Sequence, residues 1–178
     1  MIAKILLWAY IRLVRPWSSA VIRHFSLWSV KPNEGVWLEL RDLPEIEFSQ
    51  RLGAVKYTPD PLGGLADYTI KDPEYFWSDS PVSRDCDDFS YQWFLWGKYN
   101  CDEAMTIVIM DGLKVSRAHY FTVLKQGQNY RLCNYSMDPA RYSSVAECIK
   151  QFSKRSLVSG GVYKDLIWMI DEHWKREA

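Results

Sequence analysis

Asp85-Cys86-Asp87-Asp88-Phe89-Ser90 opens a run in which Phe89, Trp93 and Trp96 recur at i, i+4 and i+7, the spacing of a buried helical face. Asp85 is a good N-cap, and Asp88 three residues on can close a capping box back onto it, so Cys86 is expected at the first helical position. There the helix dipole favours a thiolate. The flanking carboxylates Asp85, Asp87 and Asp88 act the other way, raising the thiol pKa by like-charge repulsion. Gly97 is expected near the end of the helix.

Two strand-like segments follow downstream. Ala118 to Lys125 is rich in β-branched and aromatic residues, Gln126-Gly127-Gln128-Asn129 is a turn signal, and Tyr130 to Asn134 returns. Alternation places His119 and Phe121 on one side of the first strand and Tyr120 and Thr122 on the other. The hairpin brings its beginning opposite the end of the second, so His119 and Asn134 are expected to be neighbours. Taken singly, His119 reads as a satisfied strand histidine, Asn134 as a strand-end residue and Cys86 as a structural thiol. Together, in this order, they have the composition of a nucleophilic site. A thiol attacks a carbonyl as the thiolate and needs a base to take its proton; a third group must hold the imidazole in the right tautomer.

The stretch from about Tyr57 to Asn134 resembles the bacterial transglutaminase-like cysteine peptidases of the papain-like superfamily. The resemblance is carried by Tyr57-Thr58-Pro59-Asp60, Pro73-Glu74-Tyr75-Phe76-Trp77, Arg84-Asp85-Cys86-Asp87-Asp88-Phe89-Ser90, Ala118-His119-Tyr120 and Cys133-Asn134. It implies Cys86 as nucleophile, His119 as general base and acid, and Asn134 as its orienter. Tyr57, Asp60, Trp77 and Arg84 are candidates for the substrate cleft. Two positions depart from the family pattern: Arg84 replaces the customary Gly before Asp-Cys, and Asn134 stands where many relatives carry Asp. An amide orients imidazole but stabilises imidazolium less than a carboxylate does. The backbone N–H of Cys86 is one candidate oxyanion donor, and the lead-in around Tyr57 is a candidate source of a second.

At 178 residues and 48% hydrophobic content the chain is expected to form one packed domain. Its 22 basic and 22 acidic side chains balance, but residues 1–33 hold five cations and no acid. Cys86, Cys101, Cys133 and Cys148 match no compact disulfide framework and no zinc pattern. Cys101, Cys133 and Cys148 are therefore expected to be free thiols in a reducing compartment. A metal site from Asp85, Cys86, Asp87, Asp88 and His119 competes with the nucleophile reading, but one soft thiolate among hard carboxylates favours no common metal. No metal and no cofactor is expected.

Residues 2–14 are apolar apart from Lys4 and Arg12, and Pro16 suits the first turn of a second helix. Lys4, Trp8, Arg12, Arg15 and Arg23 fall on one side of a helical wheel, so residues 1–33 form a basic amphipathic arm. The run is too short and too charged to span a membrane and lacks a convincing cleavage site, which disfavours a secretory signal without excluding one. Its partner is open between the domain, another protein, a second copy and an anionic membrane surface. His24 in the arm and His173 near the C-terminus are expected at the surface.

Val36 to Leu40 is expected as a short strand and Pro44 to Gln50 as a helical turn. Lys56 to Asp72, with Pro59, Pro61, Gly63 and Gly64, is a loop expected to wall the cleft. Met105 to Met110 is a short strand before the Asp111-Gly112 turn. Ser144-Val145-Ala146-Glu147 is a capping box ahead of the stripe Val145, Cys148, Ile149 and Phe152. Tyr163 to Lys175 is expected as a terminal helix, with Leu166, Ile167, Ile170 and Trp174 on one face.

The expected architecture is an α+β, papain-like domain over residues 34–178, with the nucleophile at a helix N-terminus packed on an antiparallel sheet, preceded by the arm. The expected activity is hydrolysis of a peptide or isopeptide amide in a protein or peptide substrate. A transglutaminase that accepts an amine shares the same acyl-enzyme. The alternative from a different class is a non-catalytic assembly protein that retains the fold. No nucleic-acid partner is indicated, and the cytoplasm, with or without membrane association, is the expected location.

Overall fold

The computed structural model describes residues 30–59, 69–79, 84–111, 114–158 and 166–177, together with positions 5, 8, 9, 12 and 13. Its elements are α1 (Val36–Leu40), α2 (Glu45–Gly53), α3 (Pro73–Phe76), α4 (Cys86–Asn100), β1 (Glu103–Asp111), β2 (Lys114–Gln126), β3 (Asn129–Cys133), α5 (Val145–Val158) and β4 (Leu166–Lys175). The four strands form one sheet in the order β3-β2-β1-β4, each neighbouring pair antiparallel. The protein is α+β.

Alternation along the strands assigns each face to a helix. Met105, Ile107, Ile109, Phe121 and Val123 pack with Cys148, Ile149 and Phe152 of α5. The intervening residues meet α4. Thr122 shares a hydroxyl hydrogen bond of 2.9 Å with Ser90 and donates one of 2.6 Å to the Ser90 carbonyl. Gly97 brings α4 down onto Ala104 and Leu124: a Cβ there would lie 2.9 Å from Ala104 Cβ and collide with Leu124. The helix runs on to Asn100, so Gly97 serves close approach and not termination. Phe89, Trp93 and Trp96 are buried as their spacing predicts, in one cluster with Phe48, Leu52 and Phe76.

The hairpin turns at Gly127, whose φ of 59° is the left-handed conformation that glycine adopts without a steric penalty. Val36–Leu40 is a helix, not the expected strand. Gly35 enters it at φ 80°, Leu40 is buried, and Trp37 packs edge-on against Phe48 and Tyr99. Five residues with two helical-spaced contacts show no period long enough to separate from alternation.

The expected terminal helix is also overturned, because Leu166–Lys175 is a strand paired with β1. Leu166, Trp168 and Ile170 face the α5 side, while Ile167 and Met169 join the opposite face with Val108, Met110 and Tyr120. A strand apolar on both faces loses its two-residue period, and the run then imitates a buried helix. The pairing with β1 shifts between Thr106 and Ile107, opposite Asp171, whose carbonyl accepts a hydrogen bond of 2.9 Å from Arg12 of the arm. His173 is exposed on this strand, 3.2 Å from Glu103.

Of the arm, Ile5, Trp8, Arg12 and Leu13 are exposed; Lys4, Arg15, Arg23 and His24 lie outside the described residues. Among the described residues no helix is long and apolar enough to cross a membrane.

Candidate functional site

The start of α4 is built by carboxylates. The Asp85 side chain accepts from Asp87 N, and the Asp88 side chain accepts from Asp85 N at 3.0 Å, completing the capping box with Cys86 as the first helical residue. Asp88 is fully buried and its second oxygen accepts from Ile70 N at 2.6 Å, while Asp87 bonds the Thr69 hydroxyl. The two acids thus anchor the chain at residues 69–70 to the start of the helix. Burial, with Asp87 and Asp85 as like-charged neighbours, raises the Asp88 pKa well above the usual carboxylate value, against the two backbone donors that lower it.

The Asp85, Cys86 and Asp87 ligand atoms lie within 4.8 Å of one another. Two of the three already serve the helix start, and the set mixes one thiolate with two carboxylates, so its chemistry singles out no metal.

Cys86 is half-buried and packs on the face formed by Val108, Met110 and Tyr120. The other three cysteines are free and buried. Burial raises Cys101 and Cys148 to about 12 and Cys133 well above its ordinary value, so all three are thiols at neutral pH.

His119 and Asn134 meet, with imidazole Nε2 and amide Oδ1 3.0 Å apart. An amide oxygen only accepts, so Nε2 carries the proton and the neutral ring keeps its lone pair on Nδ1. His119 leaves β2 on the α5 side, where its ring stacks on Phe152 at 5.2 Å, and Phe152 stacks in turn on Phe121 at 4.8 Å. Desolvation by this packing lowers the His119 pKa to about 4, against a smaller opposite effect of the Asn134 hydrogen bond. His119 as a whole residue is half-buried.

Thiol and imidazole therefore lie on opposite faces of the sheet, and Asn134 is the hydrogen-bond partner that the imidazole has. β3 stops at Cys133, opposite Thr122, and Asn134 N then bonds Ser136 O as the chain leaves the ladder. This carries Tyr135 over the edge. Its ring lies 6.0 Å from His119, 5.2 Å from Phe89 of α4 and 5.5 Å from Tyr57, and Cys86 and Asp85 are its electrostatic neighbours. Tyr135 was not among the sequence candidates. Its position directly after Asn134 was the available signal, but only the end of β3 shows that it spans both faces.

The four cleft candidates separate. Tyr57 is exposed and stands at the site against Tyr135. Trp77 belongs to the aromatic core, edge-on to Phe48 and Phe76, with its indole N–H 3.3 Å from Gln92 Oε1. Arg84 turns its guanidinium onto the carbonyls of Phe76 at 2.6 Å and Ser78 at 2.5 Å, and its backbone forms a bridge with Thr58 through two bonds of 2.8 Å. It is a strut that holds the lead-in beside the nucleophile. Asp60 and most of the expected cleft loop lie outside the described residues.

Compared with known proteins, the chain matches no family model, no curated protein and no solved structure.

Proposed function

We propose that the protein performs thiol acyl chemistry on a papain-like, transglutaminase-like core, hydrolysing a peptide or isopeptide amide with Cys86 as nucleophile, His119 as base and acid, and Asn134 as orienter. The observation that supports this most is the 3.0 Å contact between His119 Nε2 and Asn134 Oδ1. It leaves Nδ1 as the basic atom on an imidazole that is neutral at physiological pH. The remaining support is the contrast between one half-buried cysteine at a helix start and three buried ones. The substrate class is a protein or peptide, and an amine in place of water makes the same site a transglutaminase.

A second reading, a non-catalytic assembly protein of the same fold, is favoured by one observation: His119 stacks on Phe152, on the face of the sheet away from α4. Under either reading we place the chain in a reducing cytoplasm, consistent with four cysteines none of which is in a disulfide. The basic arm is its means of association with a protein partner, a second copy or an anionic membrane surface.

The two readings separate on kinetics. Hydrolysis of an activated acyl ester is expected to fall by about 1000-fold or more in Cys86→Ala and in His119→Ala, with little further loss in the double variant, because parts of one catalytic unit are non-additive. Stoichiometric iodoacetamide is expected to label Cys86 first. Additive effects of the two substitutions, or labelling of Cys101, Cys133 or Cys148 ahead of Cys86, favour the assembly protein.

A further inference from the structure

We propose that the face of the N-terminal arm carrying Ile5, Trp8 and Leu13 docks on an anionic lipid surface. This selects one of the partners named above for the arm; it rests on the reading of the arm as a means of association and is independent of the chemistry at Cys86.

Before residue 30 the described positions of the arm are 5, 8, 9, 12 and 13, and all five are helical. They stand at i, i+3, i+4, i+7 and i+8, the stripe that an amphipathic helix ordinarily turns toward a core. Here the stripe faces outward. Ile5, Trp8 and Leu13 are 57%, 50% and 60% exposed, Arg12 is exposed among them, and Ala9 is half-buried. The other exposed large apolar side chains among the described residues, Leu38, Ile46, Tyr57 and Tyr99, are spread over three helices and a loop. Single apolar residues scattered in that way are ordinary on a protein surface, whereas three on one stripe mark an interaction face.

Arg12 also determines how the stripe is held. Its Nη2 donates at 2.9 Å to the carbonyl of Asp171 on β4, the strand at the end of the sheet. A backbone carbonyl carries no formal charge, so this bond ties the arm to the sheet without neutralising the arm.

Charge then chooses the partner. Basic and acidic side chains balance over the whole chain, but residues 1–33 hold five cations and no acid, so the remainder carries the excess of acid. Anionic headgroups attract the arm and repel the remainder, which turns the stripe toward the bilayer. Trp8 is suited to the headgroup level, and Ile5 and Leu13 to the boundary of the acyl chains. One arm laid against another brings like charges together. A bilayer accommodates both halves of the pattern, the apolar side chains and the cations.

The test is co-sedimentation of the full chain with phosphatidylcholine vesicles, with and without a quarter of phosphatidylserine, alongside analytical ultracentrifugation without vesicles. At about fivefold for each cation that reaches the headgroups, affinity for the anionic vesicles is expected to exceed that for the neutral ones by at least about 25-fold at low salt, and to fall as salt is raised. The triple variant Ile5→Ser, Trp8→Ser, Leu13→Ser keeps every charge. It is expected to bind the anionic vesicles about 30-fold more weakly, with the salt dependence of its residual binding retained. Equal wild-type binding to the two kinds of vesicle, or binding to neither, overturns the proposal whether or not the variant folds. Undiminished binding by the triple variant overturns it as well. A wild-type dimer that the triple variant dissolves, without vesicle binding, assigns the stripe to a second copy; it overturns the lipid proposal and leaves the arm as a means of association. If the folded variant changes neither vesicle binding nor association state, that reading of the arm falls with the proposal.

Discussion

On the α4 face of the sheet the contacts are polar and close: Ser90 bonds Thr122, Gly97 sits on Ala104, and Asp88 accepts backbone N–H groups from Ile70 and Asp85. On the α5 face they are broad and aromatic, with Phe121, Phe152 and His119 in a stack. The first manner of packing is directional and sets where α4 begins, and so where Cys86 stands. The second is non-directional and removes water, which sets the protonation state of His119. One sheet supplies a position from one side and a pKa from the other, and the two are joined by Tyr135 where β3 ends.

The largest expected effect comes from breaking the directional side. Asp88→Ala leaves the Ile70 and Asp85 amides without their carboxylate acceptor. At about 1–3 kcal/mol for each abandoned donor, offset in part by relief of burying a polar carboxyl group, the variant is expected to lose roughly 3 kcal/mol in urea unfolding. The same variant is expected to lose selective labelling of Cys86 as the first turn of α4 frays. Ser144→Ala is the matching cut on the α5 side, where the Ser144 hydroxyl accepts from Glu147 N at 3.2 Å. It is expected to cost only about 1 kcal/mol, with Cys86 labelling unchanged. Equal effects on labelling would show that the start of α4 does not set the reactivity of the thiol.

The aromatic side is tested by pH. The folded-state pKa of His119 is lowered from 6.5 to about 4, so its neutral form is the one the fold prefers. The associated stability is fully present above pH 6.5 and is lost as pH falls toward 4, by about 1.4 kcal/mol per unit and roughly 3 kcal/mol in all. Asp88 has a raised pKa and contributes with the opposite sign at acid pH, so the difference between wild type and His119→Gln is the quantity to follow. It is expected to narrow across that window. Phe152→Ala exposes the ring and is expected to return the NMR titration midpoint of His119 toward 6.5. An unmoved midpoint would mean that the stack is not what desolvates the imidazole.

The same division explains what was legible in the chain. Directional features have local signatures: the Asp85-x-x-Asp88 box, the Gly127 turn and the Phe89, Trp93, Trp96 spacing each come from neighbours in sequence, and each is present in the fold. The meeting of His119 with Asn134 follows from a hairpin whose turn and register are local. Features that depend on which surface lies opposite were not legible. β4 lost its alternation because both of its faces are covered, and Val36–Leu40 is a helix through packing on Phe48 and Tyr99. Alternation did separate His119 from Tyr120, but not which of those faces α4 would occupy. Tyr135 has no motif of its own; its place follows from where β3 stops.

Gly97 gives the smallest of these effects and the sharpest distinction between the two faces. A methyl group at this position would collide with Leu124 and lie 2.9 Å from Ala104 Cβ. Leu124 is buried and Ala104 has no rotamer to change, so the helix itself must move away from the sheet. Gly97→Ala gains up to about 1 kcal/mol of helix propensity, while overpacking costs about 1–3 kcal/mol, and a net loss near 1 kcal/mol is expected in thermal or urea unfolding. The displacement pivots α4 about the Ser90–Thr122 bond, seven residues before Gly97, and Cys86 lies on the other side of that pivot. Labelling of Cys86 is therefore expected to change little while stability falls. If Gly97→Ala instead slows alkylation of Cys86 as strongly as Asp88→Ala does, α4 moves as one rigid rod. The capping box and the hydroxyl pair would then not anchor its start independently of its packed end.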